Sequence, residues 1–448
     1  MNKDNRFSKL EMEDKGVAPA PAPNSQVFKS ESTMSVSGKA QIVNGVQQNA
    51  IGLESTEGMR HVSKVWQEKC KKFTDFRDEV KREALTKTDE VRNEADVRLT
   101  SDLRLKDGLA FTDTGLSTLV NKYTDVPSTT VDFLRNHSDM HPEYIPQLSQ
   151  YINNSLDERN DAYLNHEYKS GSTRAEKGKE RTFLLRKRFE GGQEVIRMVG
   201  SERYGVADND LLLDLLSESL PTNGLDLALA SHTFNNGDDM NGNILLPDMM
   251  KSRPDSDYGV GIAFRNSEVG KYTFQVTPFL FRAICKNGCI WGLRESEVRV
   301  NKKHLGTIEI WDLRNMVKNA VDLALSEGNC LLNNMDMARE IKIAKGDIGK
   351  VIAYLAKQNK LTVEQGRAWY QDFHLDAYES AFGVINGLTR AAQRYAGDTR
   401  FELEGVAGEI LSPKLKTDSD IMGKRWAQIV DRANDLKDKE VLQYVQMK

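Results

Sequence analysis

Between Tyr258 and Val276 large apolar residues alternate with small or polar ones, and this two-residue period constrains the fold more than any other feature of the chain. Tyr258, Val260, Ile262 and Phe264 fall on one side of an extended segment, and Tyr272, Phe274 and Val276 repeat the pattern. Successive side chains of a strand point to opposite faces, so this spacing predicts strands with one apolar face. Asn266 to Gly270 offers a turn, and Phe279 to Ile284 a third apolar run. Asn287-Gly288 offers a second turn, since both residues tolerate positive φ. The period then lengthens. Ile310, Leu313, Val317, Ala320, Val321 and Ala324 recur at helical spacing within a segment from Gly306 to Glu327. Strand, strand, strand, helix predicts an α+β core, an antiparallel sheet with packed helices.

A second strand signal lies upstream. Thr182 to Phe189 and Glu194 to Val199 flank Gly191-Gly192, which predicts a hairpin over 181–199, and Asn209 to Ser219 reads as a helix stopped before Pro221. Residues 233–243, rich in Gly and Asn, read as a loop, and Met335 to Lys448 as mostly helical. From His61 to about Asp96, Val62, Trp66, Phe73, Phe76, Val80 and Ala84 predict a long amphipathic helix with a narrow apolar stripe. Such a stripe suits a helix lying on its own domain, or one packing along a protein partner. Residues 1–58 are poor in large apolar side chains and carry an Ala-Pro run from Ala18 to Pro23, which predicts a disordered arm. The expected order is therefore arm 1–58, long helix 59–110, α+β core 111–330 and helical region 331–448. Residues 110–180 read as short helical and turn-like pieces, with a basic loop from Gly171 to Gly178.

The 448 residues suffice for a sizeable core. With 62 Lys and Arg against 66 Asp and Glu the net charge is -4, so any nucleic-acid surface must be a local patch. Four cysteines (Cys70, Cys285, Cys289 and Cys330) are too few for a disulfide framework. No apolar run approaches the roughly 20 residues of a membrane helix, and Met1 to Arg6 leads into no apolar segment of a secretion signal. A cytoplasmic protein, away from the membrane, is the expectation.

No phosphate-binding loop, dinucleotide turn, nucleophile elbow or kinase motif set is present, so neither an enzyme nor a cofactor is expected. Cys285 and Cys289, with His304 nearby, lack a fourth ligand for zinc; His137 and His141 lack a third. Asp208, Asp210, Asp238, Asp239 and Asp248 fit no calcium loop and read as solvated acids. One cluster stands out against the acidic whole. Lys179, Arg181, Arg186, Lys187, Arg188, Arg197 and Arg203 interleave with Phe183, Phe189 and Tyr204 on and around the predicted hairpin. Cations that track phosphates beside aromatic rings that stack on bases are what single-stranded nucleic acid requires. The bland reading is a sheet edge protected by charge.

Three segments carry a family resemblance: Val199-Gly-Ser-Glu-Arg-Tyr204, Phe264-Arg-Asn-Ser267, and Thr277-Pro-Phe-Leu-Phe-Arg-Ala-Ile-Cys-Lys-Asn-Gly288. Over roughly residues 180–330 the chain resembles the phage and plasmid-like family described as domain of unknown function 932. Its motif positions fall on Arg282, Cys285, Asn287, Gly288 and His304. The resemblance implies a phage or mobile-element context more than a mechanism. The strand-strand-strand-helix order is also similar to the core of phage single-strand annealing proteins, which assemble into rings. Two functions follow as expectations. One is single-stranded nucleic-acid binding or annealing by a homo-oligomer. The other is a non-enzymatic interaction or anti-defence factor that docks a protein partner through the 61–96 helix.

Overall fold

A computed structural model describes residues 41–43, 46–48, 71–127, 129–131, 136, 142–164, 181–220, 233–253, 256–282, 287–290, 300–302, 309–376, 378–411 and 418–445. The chain divides into two compact units, 1–50 and 51–448. In the first, β1 (Gln41–Val43) and β2 (Val46–Gln48) pair antiparallel with Val43 opposite Val46. The rest of the expected arm lies outside the described residues.

The second unit opens with α1 (Phe73–Ala84), which buries Phe73, Phe76 and Val80. It is far shorter than the helix expected over 61–96. Residues 61–70 lie outside the described residues, and after Ala84 the chain turns into β3 (Lys87–Asn93). The apolar stripe ends at Ala84. Beyond it, Asp89 and Glu90 face the cations of a neighbouring strand, and that pairing overrides helix propensity. Phe73, Phe76 and Val80 of the stripe pack against this same unit, so they offer no docking face to a protein partner, and Val62 and Trp66 lie outside the described residues.

Next come β4 (Ala110–Phe111), α2 (Asp113–Tyr123), α3 (Tyr144–Leu164), β5 (Thr182–Glu190) and β6 (Gln193–Ser201). The two helices replace the short pieces expected over 110–180; His137, His141 and the loop from Gly171 to Gly178 lie outside the described residues. The sheet order is β3-β5-β6-β4, antiparallel except where β4 runs parallel to β6. The β5–β6 hairpin turns through Gly191 and Gly192, at φ 61 and 87, as the sequence predicts. One face of this sheet (Phe183, Leu185, Ile196 and Val199) buries Leu116, Leu119 and Val120 of α2 and Ile152 and Leu156 of α3.

The larger sheet follows α4 (Asn209–Ser219) and comprises β7 (Phe234–Asn235), β8 (Asp239–Arg253), β9 (Ser256–Ser267), β10 (Phe274–Arg282), β11 (Asn287–Ile290) and β12 (Val300–Lys302). Its order is β11-β10-β9-β8-β7, with β12 also on β10. The fold is α+β, with antiparallel sheets and packed helices. Three local expectations change. The 233–243 loop is largely strand, because Met240 and Ile244 alternate with asparagines that are also buried. Within the runs at 272–276 and 279–284, the residues from Phe274 to Arg282 belong to one strand. Pro278 is tolerated there because it falls between the stretches of β10 that pair with β12 (Phe274–Val276) and β11 (Phe279–Arg282). Asn287 and Gly288 lie within β11, opposite Arg282 and Phe281, so the connection precedes them. That connection, including Cys285, lies outside the described residues, as does His304.

The long helix α5 (Ile310–Glu340) spans 31 residues and crosses the boundary expected at 330. Leu313, Val317 and Val321 pack with Phe76 of α1, Leu212 of α4 and Ile262, Phe264 and Val276 of the sheet. Leu332, Met335 and Ala338 pack instead among the last helices: α6 (Ile348–Gln358), α7 (Val363–Asp376), α8 (Ala381–Ala392), α9 (Gly397–Leu411), α10 (Ser419–Asn434) and α11 (Asp438–Val445). Trp369, whose Nε1 donates to the Val384 carbonyl at 2.7 Å, and Trp426 anchor that cluster, which also takes in Tyr258, Val260 and Leu280 from the sheet. Among the described residues no helix is long and apolar enough to cross a membrane.

The β8–β9 contact is too close for a side chain at Gly261, where a Cβ would lie 2.2 Å from the Ile244 carbonyl oxygen and 2.4 Å from the Phe279 ring. Gly261→Ala should therefore force the strands apart and lower stability by about 1–3 kcal/mol, read by urea unfolding. Unchanged stability would mean that this spacing is not held.

Candidate functional site

The cationic hairpin meets the larger sheet at two buried carboxylates, Glu268 and Asp238. Glu268 sits in the β9–β10 turn, its backbone N–H donating to the Asp238 carbonyl at 2.8 Å. Its side chain and that of Arg197 are fully buried. Glu268 Oε2 accepts from Arg197 Nη1 at 2.6 Å, and Oε1 accepts from Lys87 Nζ at 3.0 Å and from the Asn209 N–H at 2.8 Å. The last contact places negative charge at the N-terminus of α4, where the helix dipole favours it. The Glu268 carbonyl accepts from Arg186 Nη1 at 2.9 Å and from the Tyr204 hydroxyl at 3.0 Å.

Arg186 completes the joint. Its Nε donates to Asp89 Oδ1 at 3.0 Å and its Nη2 to Asp208 Oδ1 at 2.6 Å. Burial would lower its pKa, but Asp208 and Asp89 more than offset this and hold it above the usual arginine range. Asp238 Oδ1 lies 3.3 Å from Arg197 and 3.4 Å from Arg188. Burial pushes the Glu268 carboxyl up, reinforced by Asp208, while Arg197 and Lys87 pull it down.

This geometry redistributes the residues expected to touch nucleic acid. Arg186 and Arg197 are core side chains, and Phe183 is buried with its ring 4.4 Å from that of Tyr123. None of the three can reach a ligand in this fold. Tyr204 is half-buried and held by the Glu268 carbonyl. Arg181 lies 3.6 Å from Glu94, and Lys187 lies 3.1 Å from Glu90 and 3.0 Å from Glu194. Arg188 also pairs with Glu190 at 2.8 Å. Phe189, 58% exposed, and Arg203 project into solvent; Lys179 lies outside the described residues. Asp208 and Asp238 prove to be counter-ions rather than solvated acids. Of the family positions, Arg282 is buried with its guanidinium 5.9 Å from the Tyr258 ring and 5.7 Å from the Phe382 ring.

Sequence reasoning missed Glu268, Lys87 and Asp89. The available signal was the excess of arginine on predicted strands, which demands acids from elsewhere in the chain.

A second polar layer lies between the larger sheet and α9. Arg265 sits between the rings of Tyr272 and Phe401, 4.8 and 5.1 Å from their centroids, and donates to Gln275 at 2.7 Å. Glu404, fully buried on α9, accepts from Arg400 Nε at 3.0 Å and from Asn243 Nδ2 at 3.4 Å. Lys271 bridges Asp239 at 3.3 Å and Asp398 at 2.7 Å. Burial raises the Glu404 pKa from 4.5 to about 7, with Arg400 and Asn243 opposing.

Two outcomes follow. Glu268→Ala leaves Arg197 and Lys87 buried without their carboxylate and should cost about 3–5 kcal/mol, whereas Arg203→Ala should fall within about 0.5 kcal/mol of the parent in denaturant unfolding. Equal effects would show that the cluster is not buried. The folded chain holds the Glu404 proton more tightly than the unfolded chain does. Stability should therefore fall as pH rises from 4.5 through about 7. Glu404→Gln should flatten that part of a Tm-against-pH curve, and an unchanged slope would assign it to other groups.

No protein-family model, curated protein or solved structure matches this chain.

Proposed function

We propose that this chain binds single-stranded nucleic acid, and anneals complementary strands, for a phage or other mobile element in the host cytoplasm. The observation that supports the reading is a run of antiparallel strands, β9, β10, β11 and β12, leading into the 31-residue α5, with the second and third expected strands merged in β10. Strands followed by a long helix suit the core expected of a phage single-strand annealing protein, by analogy alone. Of the motif positions that resemble the phage and plasmid-like family, the described ones fall in the same sheet, with Arg282 at the end of β10 and Asn287 and Gly288 opening β11. The contact residues are those that face solvent. Phe189 offers a ring for base stacking at the hairpin end, and Arg203 offers charge beyond the end of β6. Lys187 and Arg188 would have to exchange carboxylates for phosphates.

A gel-shift series with ssDNA of about 40 bases, dsDNA and RNA at two salt concentrations tests this. Phe189→Ala should weaken ssDNA binding by about 1–3 kcal/mol with little change in salt slope. Arg203→Ala should reduce the slope by about one counter-ion. Failure of the intact chain to shift ssDNA at low salt sinks the reading.

A second reading then leads, favoured by a separate observation. Ile310 and Trp311 open α5 with 52% and 67% exposure, and tryptophan is a residue type enriched in protein interfaces. That would suit an interaction or anti-defence factor.

A further inference from the structure

The strand that holds Lys87 and Asp89 at the buried joint is also an edge of its sheet. β3 pairs with β5, and among the described residues no strand lies on its other side. The phase of its hydrogen bonds is fixed at both ends, where Phe189 N–H donates to the Thr86 carbonyl at 2.8 Å and Glu94 N–H donates to the Arg181 carbonyl at 2.9 Å. Even-numbered residues from 86 to 94 thus turn their backbone toward β5. In an antiparallel ladder the odd-numbered ones, Asp89 and Val91 among them, then direct N–H and C=O outward. Val91, a strand-favouring residue, is 62% exposed on this edge. Beside it runs an open groove of about 610 Å³, lined by Glu90, Val91, Arg92, Asp96, Arg98 and Lys106 among others.

We propose that the occupant of this edge is β3 of a second copy of the chain, added antiparallel about a twofold axis through Val91. The charge order suits a second copy as occupant and favours this register over those centred on Asp89 and Lys87. Within each chain Arg92 already meets Glu90 and Asp107, each at 2.6 Å, so the cross-copy contacts extend an existing row of ion pairs. With the axis at Val91, Glu90 of each copy lies opposite Arg92 of the other, and the two exposed valines meet at the centre. Opposite charges directly across a strand pair contribute about 0.2–1 kcal/mol each, and like charges oppose pairing. Moving the axis to Asp89 sets aspartate against aspartate, and moving it to Lys87 sets lysine against lysine. Mixed charge on an edge ordinarily deters foreign strands; here its sequence Glu-Val-Arg is complementary to itself. The interface is isologous, as closed dimers require, and it joins the two four-stranded sheets into one. It does not rest on the nucleic-acid reading, although Lys187 of that reading pairs with Glu90 of this edge at 3.1 Å.

Cysteine cross-linking of the full chain tests the register. In the proposed pairing the Val91 residues form a hydrogen-bonded pair with Cα atoms about 5.5 Å apart, within disulfide reach. The Thr88 residues lie about 20 Å apart, six residues out of register at about 3.3 Å each. Mild oxidation should give a covalent dimer with Val91→Cys and none with Thr88→Cys, each judged against the parent chain. In sedimentation equilibrium the parent should dimerise. Val91→Pro removes an outward N–H while sparing the bonds to β5, and should raise the dimer dissociation constant about tenfold or more. Arg92→Glu should weaken the dimer, and Glu90→Arg combined with Arg92→Glu should restore it. A parent that stays monomeric at about 100 μM, where a dimer of ordinary affinity would form, overturns the proposal. So does equal cross-linking at both positions, or a dimer indifferent to Val91→Pro.

Discussion

The buried carboxylate of Glu268, with Asp238 beside it, joins the two sheets of the folded unit. Lys87 arrives from β3, Arg197 from β6 and the Asn209 N–H from the start of α4, and all three converge on its two oxygens. A buried charge is tolerated when its lone pairs are occupied by well-placed donors. Glu268 meets that condition because its turn is tied back to Asp238 and its own carbonyl is held by Arg186 and Tyr204. The apolar clusters on either side are separate, one under α2 and α3, the other under α1, α4 and the first half of α5. Registry between them thus depends on charge-assisted hydrogen bonds, which are directional, rather than on apolar packing, which is not.

The same division explains α5. Its first half faces the core shared with α1 and α4, and its second half faces the C-terminal helices, so one rigid rod sets the spacing of two clusters. The sheet is used in the same way: Ile262 and Phe264 serve the first cluster, and Tyr258 and Val260, on the same face of β9, serve the second. Helix and sheet cross both cores together, which is why no domain boundary falls at 330.

Elements whose large apolar residues recur at a strand or helix period were legible in the sequence. The β5–β6 hairpin, α4, β9 and the first half of α5 all show such periods, although the hairpin also buries Arg186 and Arg197. Elements whose alternation has little apolar contrast were not. β8 carries Asn241 and Asn243 on a covered face, so its composition imitates a loop. β3 carries charges that pair across the sheet, so its alternation has little apolar contrast. Glu268 lies among turn residues, and nothing nearby in sequence marks it as buried. Each of these depends on a partner distant along the chain: Glu404 for Asn243, Arg186 for Asp89, Arg197 for Glu268.

The cationic hairpin shows what decides between a phosphate ligand and an internal counter-ion. Arginine on a strand fits both, because its planar fork binds carboxylate and phosphate with the same geometry. The difference lies in the acids that the fold brings to it. In a chain with 66 acidic and 62 basic side chains, a local run of cations has carboxylates available from elsewhere. Asp89, Asp208, Asp238 and Glu90 all reach this hairpin, and Glu194 on β6 adds a carboxylate of its own. A phosphate surface would need cations in excess after such pairing, on residues that remain exposed. On the hairpin and its flanks Arg203 is an exposed cation and Phe189 an exposed aromatic.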